Sequence, residues 1–139
     1  MFTTDHRLEN DSEFIADWGV FSLRLMKDDR FFWLLLIPRR PGLSEWHELS
    51  EADLDEMNKL ISYLSYHIKL IEKADKINIG ALGNIVSQFH LHLIARHQGD
   101  AAWPGPVWGA GAPVPLSPAK QQARRQAVLD LLADFQPQP

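Results

Sequence analysis

The sequence predicts a single mixed domain of β-strands and two α-helices, and three observations predict it. Short segments alternate between apolar and polar residues, one long segment carries an apolar stripe at steps of three and four, and a second such stripe precedes the C-terminus. A chain of 139 residues suits one domain that buries roughly 70% of the surface its unfolded form exposes. Two domains would be crowded.

Over residues 20–26, Phe21, Leu23 and Leu25 alternate with Ser22 and Arg24, the pattern of a half-buried strand. The polar turn Lys27-Asp28-Asp29-Arg30 follows. The apolar run 31–37, closed by Pro38 and by Pro41-Gly42, then reads as its antiparallel hairpin partner. Ser50 is a good N-cap for a long helix, with Glu51, Asp53, Asp55 and Glu56 near its start and Lys69, Lys73 and Lys76 near its end. Leu54, Met57, Ile61, Leu64, Ile68 and Ile71 form its buried stripe.

Residues 76–79 read as a short strand, 80–84 as a glycine-bounded loop and 86–95 as a second alternating strand. The proline- and glycine-rich stretch 99–118 contains Trp103 and Trp108, so a packed loop is expected rather than a linker. Ser117-Pro118 starts a C-terminal helix outlined by Ala123, Ala127, Val128, Leu131, Leu132 and Phe135 and stopped by Pro137.

Composition removes several function classes. With 14 basic against 18 acidic residues the net charge is −4, which argues against binding nucleic-acid polymers or anionic membranes by bulk charge. The absence of cysteine excludes disulfides, thiolate metal sites and a thiol nucleophile. The longest apolar run, residues 31–37, is far shorter than the ~20 residues of a membrane helix, and the first residues lack signal-peptide features, so the cytoplasm is expected.

The chemistry concentrates in Gln88-Phe89-His90-Leu91-His92-Leu93-Ile94-Ala95-Arg96. On a strand, Gln88, His90 and His92 project to one face while Phe89, Leu91 and Leu93 enter the core. Imidazole titrates near neutrality, so one ring can attack phosphorus as a neutral nucleophile. A second, if protonated, can bind a phosphate oxygen and pass a proton to the leaving group. Backbone N–H groups of the tight turn at 83–86 add a nest for the anion.

This segment resembles the histidine triad (HIT) motif, His-φ-His-φ-His-φ-φ, with Gln88 in the first position. Ile37-Pro38-Arg39, Trp46-His47-Glu48-Leu49, Asn78, Gly83-Asn84 and Trp103-Pro104 resemble that superfamily in order and spacing, over about residues 21–109. The chain is most similar to bacterial HIT-like hydrolases whose motif opens with glutamine and closes with Ala-Arg and a Pro-Val-Trp-Gly segment, here Ala95-Arg96 and residues 106–109.

The resemblance implies an α+β fold, an antiparallel sheet of about five strands packed with a long central helix and a C-terminal helix. It spans one domain, 1–139, with the motif-bearing core at about 21–109 and the terminal loop and helix at 110–139. It also implies a homodimer. By the same resemblance His90 is the nucleophile, His92 contacts the phosphate, and Gln88 orients its neighbours without titrating. Asn78 and Asn84 fall near ribose and α-phosphate, and Gly83 and Ile85 contribute contacts from the turn. The implied substrates are nucleoside 5′-phosphates, purine ones foremost, carrying a leaving group: phosphoramidates, dinucleoside polyphosphates or adenylates. No cofactor is required.

One family position is displaced. Thirteen residues before Pro38, where a ribose-binding Asp or Asn is common, stands Leu25; Asp28 or Lys27 replaces it only if the hairpin is set differently. Two other functions fit the residues: a nucleotide-binding module with little turnover, and a metal site on His90 and His92 completed by His97 or a partner chain, Gln88 being a poor ligand. His6, His47 and His67 are assigned no role. Arg39-Arg40 and Arg124-Arg125 read as solvated charges, and Arg96 ends the motif strand. Trp103 and Trp108 read as packing, with Trp108 alternatively closing the nucleotide pocket.

Overall fold

The first element is one that the sequence pattern hides. Asp5 accepts from the Arg7 N–H at 2.9 Å and caps a short helix, α1 (His6–Asp11), which runs directly into β1 (Ser12–Trp18). β1 pairs with β2 (Phe21–Met26) as Phe14 opposite Arg24 and then Ala16 opposite Leu23, so Ile15 is an extra residue in a bulge. The bulge breaks the period-2 pattern, which is why alternation does not reveal this strand. The computed structural model describes residues 1–137, so the expected domain end at Pro139 lies outside the described residues.

β3 (Phe32–Pro38) completes the expected hairpin, with Leu23 opposite Leu36 and Leu25 opposite Leu34. After a 3-10 turn (Trp46–Glu48), Ser50 caps α2 (Glu51–Glu72) by accepting from the Asp53 N–H. β4 (Lys76–Gly80), β5 (Leu91–Arg96) and α3 (Pro118–Ala133) follow, α3 starting at the Ser117-Pro118 signal. The result is an α+β fold whose five-stranded antiparallel sheet runs β1-β2-β3-β5-β4. Among the described residues no helix is long and apolar enough to cross a membrane.

The sheet is covered on both faces. One face packs Leu23, Leu25, Leu34, Leu36, Leu91 and Leu93 against Met57, Leu60, Leu64 and Ile68 of α2 and Val128 and Leu132 of α3. The other gathers Trp33, Leu35, Ile37 and Ile94 under Leu8, Val86 and Val107. Ser22 and Arg24 are therefore buried, where the alternation predicts solvent; Arg24 Nε donates to Ser12 Oγ at 2.8 Å across the β1–β2 pair. The expected helix stripe needs similar adjustment. Leu60 is in the core, whereas Ile71 at the end of α2 is exposed.

Two further expectations shift at element ends. α3 stops at Ala133, and Phe135 lies beyond it, stacked between Trp18 and Tyr63 at centroid distances of 5.2 and 4.0 Å. β5 starts at Leu91, five residues later than the alternation suggests. The ladder ends at Leu36 opposite Leu91, because the next residues along β3 lead to Pro38, which has no N–H to donate; the Phe89 N–H turns instead to the Leu43 carbonyl.

Candidate active site

The start of β5 sets two imidazoles side by side. His92 lies on the strand, opposite Leu35 of β3 and Gly80 of β4, and His90 precedes it; the ring centroids are 4.8 Å apart. Phe89, Leu91 and Leu93 point into the helix-side core as the alternation predicts, so both rings fall on the opposite face. Both histidines are buried side chains at the floor of a cleft.

Their hydrogen bonds assign both tautomers. His90 Nδ1 lies 2.7 Å from the Gln88 carbonyl, which can only accept, so Nδ1 carries the proton and Nε2 presents a lone pair. His92 Nδ1 lies 2.9 Å from Trp33 Nε1, which can only donate, so Nδ1 accepts and the proton of His92 is on Nε2. One ring presents a free lone pair and its neighbour an N–H. Burial lowers the pKa of His90 below 6.5, partly opposed by the Gln88 carbonyl and by Asp5. Burial, with repulsion from His90, takes His92 down to about 3. The condition under which a second imidazole could pass on a proton, that it be protonated, is disfavoured for His92 by its burial.

The cleft measures about 780 Å³. Gly83, Asn84 and Ile85 form one wall, Met26 and Lys27 of the hairpin a second, Leu8, Asn10 and Asp11 a third, and Trp108 and Gly109 the last. Gly83 turns with φ +77°, a conformation that favours glycine. The N–H groups of residues 83–86 bond to no acceptor among the described residues, leaving them free for an anion. Ile85 is 83% exposed at the mouth. Trp108 meets His92 edge to face at 5.2 Å and lies over Gly80, where an added Cβ would come within 3.1 Å of its ring.

Other expected site residues take different places. Gln88 meets the histidines only through its backbone carbonyl; its side-chain Oε1 accepts from the Asp5 N–H and its Nε2 donates to the Thr3 carbonyl, each at 2.8 Å, so the side chain clamps the N-terminal segment. Asn78 is outside the cleft, with Oδ1 accepting from Arg96 Nη1 at 2.8 Å. Leu25, the residue that the count from Pro38 gives, is buried on the helix side, whereas Lys27 and Asp28 line the cleft. Asp28 is held by Arg30 in a two-pronged pair and is a structural carboxylate.

Three arginines expected at the surface or near the ligand are brackets. Arg96 is 1% exposed, grips Asp100 through two bonds and also donates to the Gly105 carbonyl. Arg124 reaches through to the hairpin and donates to the carbonyls of Asp28, Asp29 and Phe31. Arg40 pairs with Asp53 near the start of α2. His97 sits against the Glu72 carbonyl, and among the described residues no three His, Asp or Glu side chains gather as a metal-ligand set.

The Gln88 clamp yields a direct expectation. Two hydrogen bonds of about 1 kcal/mol each hold residues 3–5, so Gln88→Ala should lower hydrogen-exchange protection of the Asp5 amide by about tenfold or more. Unchanged protection would show that the segment is held by other contacts.

Comparison with known proteins bears on all of this. A family model of the HIT domain matches residues 7–99. A histidine triad protein from Sinorhizobium meliloti superposes with a TM-score of 0.90 at 41% identity, covering 94% of this chain and 97% of that one. A second, from Bradyrhizobium japonicum, gives 0.90 at 40% identity, with 93% and 96% covered. A third, from Marinobacter aquaeolei, gives 0.92 at 37% identity, with 97% and 98% covered. No curated protein matches the chain.

Proposed function

The chain belongs to the histidine triad (HIT) domain family, and we propose that it is a nucleotide hydrolase or nucleotidyl transferase acting at the α-phosphate of nucleoside 5′-phosphate conjugates. The observation that carries this reading is the pair of opposed tautomers, a lone pair on His90 Nε2 beside an N–H on His92 Nε2. An electrophile rich in oxygen anions needs such a pair. His90 Nε2 attacks the α-phosphorus, a P–N bond forms, and the bond to the leaving group breaks with its electron pair. The Nδ1–H bond to the Gln88 carbonyl stabilises the positive charge that the phosphorylated ring acquires.

His92 Nε2–H and the free amides of residues 83–86 are the donors for the non-bridging oxygens. Water then attacks phosphorus and gives up a proton to solvent, the P–N bond breaks with its electron pair returning to His90 Nε2, and the nucleoside monophosphate leaves. The exposed Leu82 and Ile85 at the mouth suit the flat apolar face of a purine base. No cofactor enters these steps. A homodimer belongs to the same reading, supported by the exposed apolar Tyr66, Leu70 and Ile71 towards the end of α2.

The test is a reaction with a diadenosine polyphosphate in the presence of a metal chelator. Adenosine monophosphate should appear, and mass spectrometry of the quenched protein should find one nucleotidyl group on His90. Absence of product across polyphosphates, phosphoramidates and adenylates would leave a binding module instead.

A further inference from the structure

His92 sits between two indoles. Trp33 lies two residues along β3 from Leu35, the partner of His92, so its long side chain reaches diagonally across the strand pair; the rings are 5.7 Å apart. Trp108 stands on another side at 5.2 Å. Protonating His92 on Nδ1 would set that N–H against the Trp33 N–H, two donors facing each other at 2.9 Å, and would lose a buried hydrogen bond.

The other polar groups around the ring offer no relief. The neighbouring imidazole, His90, has its own Nδ1 proton committed to the Gln88 carbonyl. Of the carboxylates lining the cleft, Asp28 is paired with Arg30 and Asp11 ends α1. The Lys27 ammonium donates to the Asn10 carbonyl at 3.1 Å. The cleft therefore has hydrogen-bond donors beside the phosphate without an acid ready to give up a proton near neutrality.

We propose that Trp33 is a positioning residue that sets leaving-group specificity: by holding His92 Nδ1 as an acceptor, it denies the site a general acid and restricts turnover to conjugates whose leaving group departs as a stable anion. This rests on the nucleotidyl-transfer reading above. When His90 Nε2 bonds to the α-phosphorus, the breaking P–O bond gives its electron pair to the departing oxygen. A phosphate, pyrophosphate or carboxylate accepts that pair without a proton. An amine leaving group needs one first, since cleavage of an unprotonated P–N bond would expel a strongly basic nitrogen anion. The favoured substrates are thus polyphosphate-linked and acyl nucleotides, and phosphoramidates are disfavoured.

Two measurements on the full chain test this. Nitrogen NMR of histidine-labelled protein should find His92 protonated on Nε2 alone from pH 8 to pH 5. In a series of aryl esters of adenosine monophosphate, kcat/KM should fall by up to about tenfold for each unit of leaving-group pKa, the steep Brønsted dependence of an unassisted departure. Trp33→Phe keeps an aromatic ring and deletes the donor; it should flatten that dependence and raise phosphoramidate turnover relative to polyphosphate turnover by about tenfold. A loss of packing alone would lower all substrates together and leave both ratios unmoved.

A flat dependence in the unaltered protein, a proton on His92 Nδ1 at neutral pH, or an unmoved ratio in folded Trp33→Phe protein would each overturn the assignment. If Trp33→Phe does not fold, the two measurements on the unaltered chain decide. Failure to release adenosine monophosphate from any ester would instead reject the nucleotidyl-transfer reading itself.

Discussion

His90→Ala should lower kcat on a diadenosine polyphosphate by about four to six orders of magnitude and abolish the covalent nucleotidyl adduct, while calorimetry still detects nucleotide binding. The size of the effect follows from the chemistry: Nε2 is the only lone pair that the two tautomers direct into the cleft, and no cysteine exists to replace it. A His90→Ala protein within tenfold of the unaltered rate would eliminate the mechanism. The pH profile carries a second check. His90 attacks only when neutral, and burial lowers its pKa, so the acid limb of the rate profile should lie at lower pH than that of a free imidazole. His92, near 3, contributes no limb near neutrality.

Arg96→Met should destabilise the fold by about 3–5 kcal/mol, read as a lower denaturant midpoint at unchanged slope. Its guanidinium is fully buried beside the Phe31 and Trp103 rings and bonds to Asp100, Asn78 and the Gly105 carbonyl. Methionine fills similar space but abandons the Asp100 carboxylate, which is 8% exposed and whose pKa this arginine holds well below the usual range. Linkage gives the sign: stability from a depressed carboxylate is complete above about pH 4 and disappears as pH falls through the folded pKa, so the deficit of Arg96→Met should be largest near neutrality and shrink in acid. A loss under 1 kcal/mol at pH 7 would mean that the 99–105 loop is held by other contacts.

How much of this the sequence discloses depends on the range of the interaction. α2 is legible because capping by Ser50 and a stripe of period 3.6 are local, and the hairpin of β2 and β3 because two apolar runs flank a polar turn. β1 is illegible because one bulged residue, Ile15, shifts the alternation, and α1 because six residues hold less than two turns. The shared face of His90 and His92 follows from spacing alone. The tautomer of His92 does not, since it depends on an indole 59 positions earlier.

The same limit explains Gln88 and Arg124. A glutamine in a histidine's place reads as a non-titrating group that orients its neighbours until the Thr3 carbonyl, 85 residues away, is found on its amide. Arg124 reads as a surface charge because nothing adjacent in sequence announces the three hairpin carbonyls that it meets more than 90 residues back. Buried cations of this kind require partners, and partners from distant segments leave no periodic trace.

The division of labour between the two faces of the sheet bears on how such a protein can diversify. The helices bury one face, while the cleft is roofed by short α1 and by the irregular segments 81–90 and 99–117. Insertions and replacements in loops are tolerated far more readily than changes in a packed helix interface. The pocket walls can therefore be remodelled around the same pair of histidines while the helix-packed half continues to specify the fold.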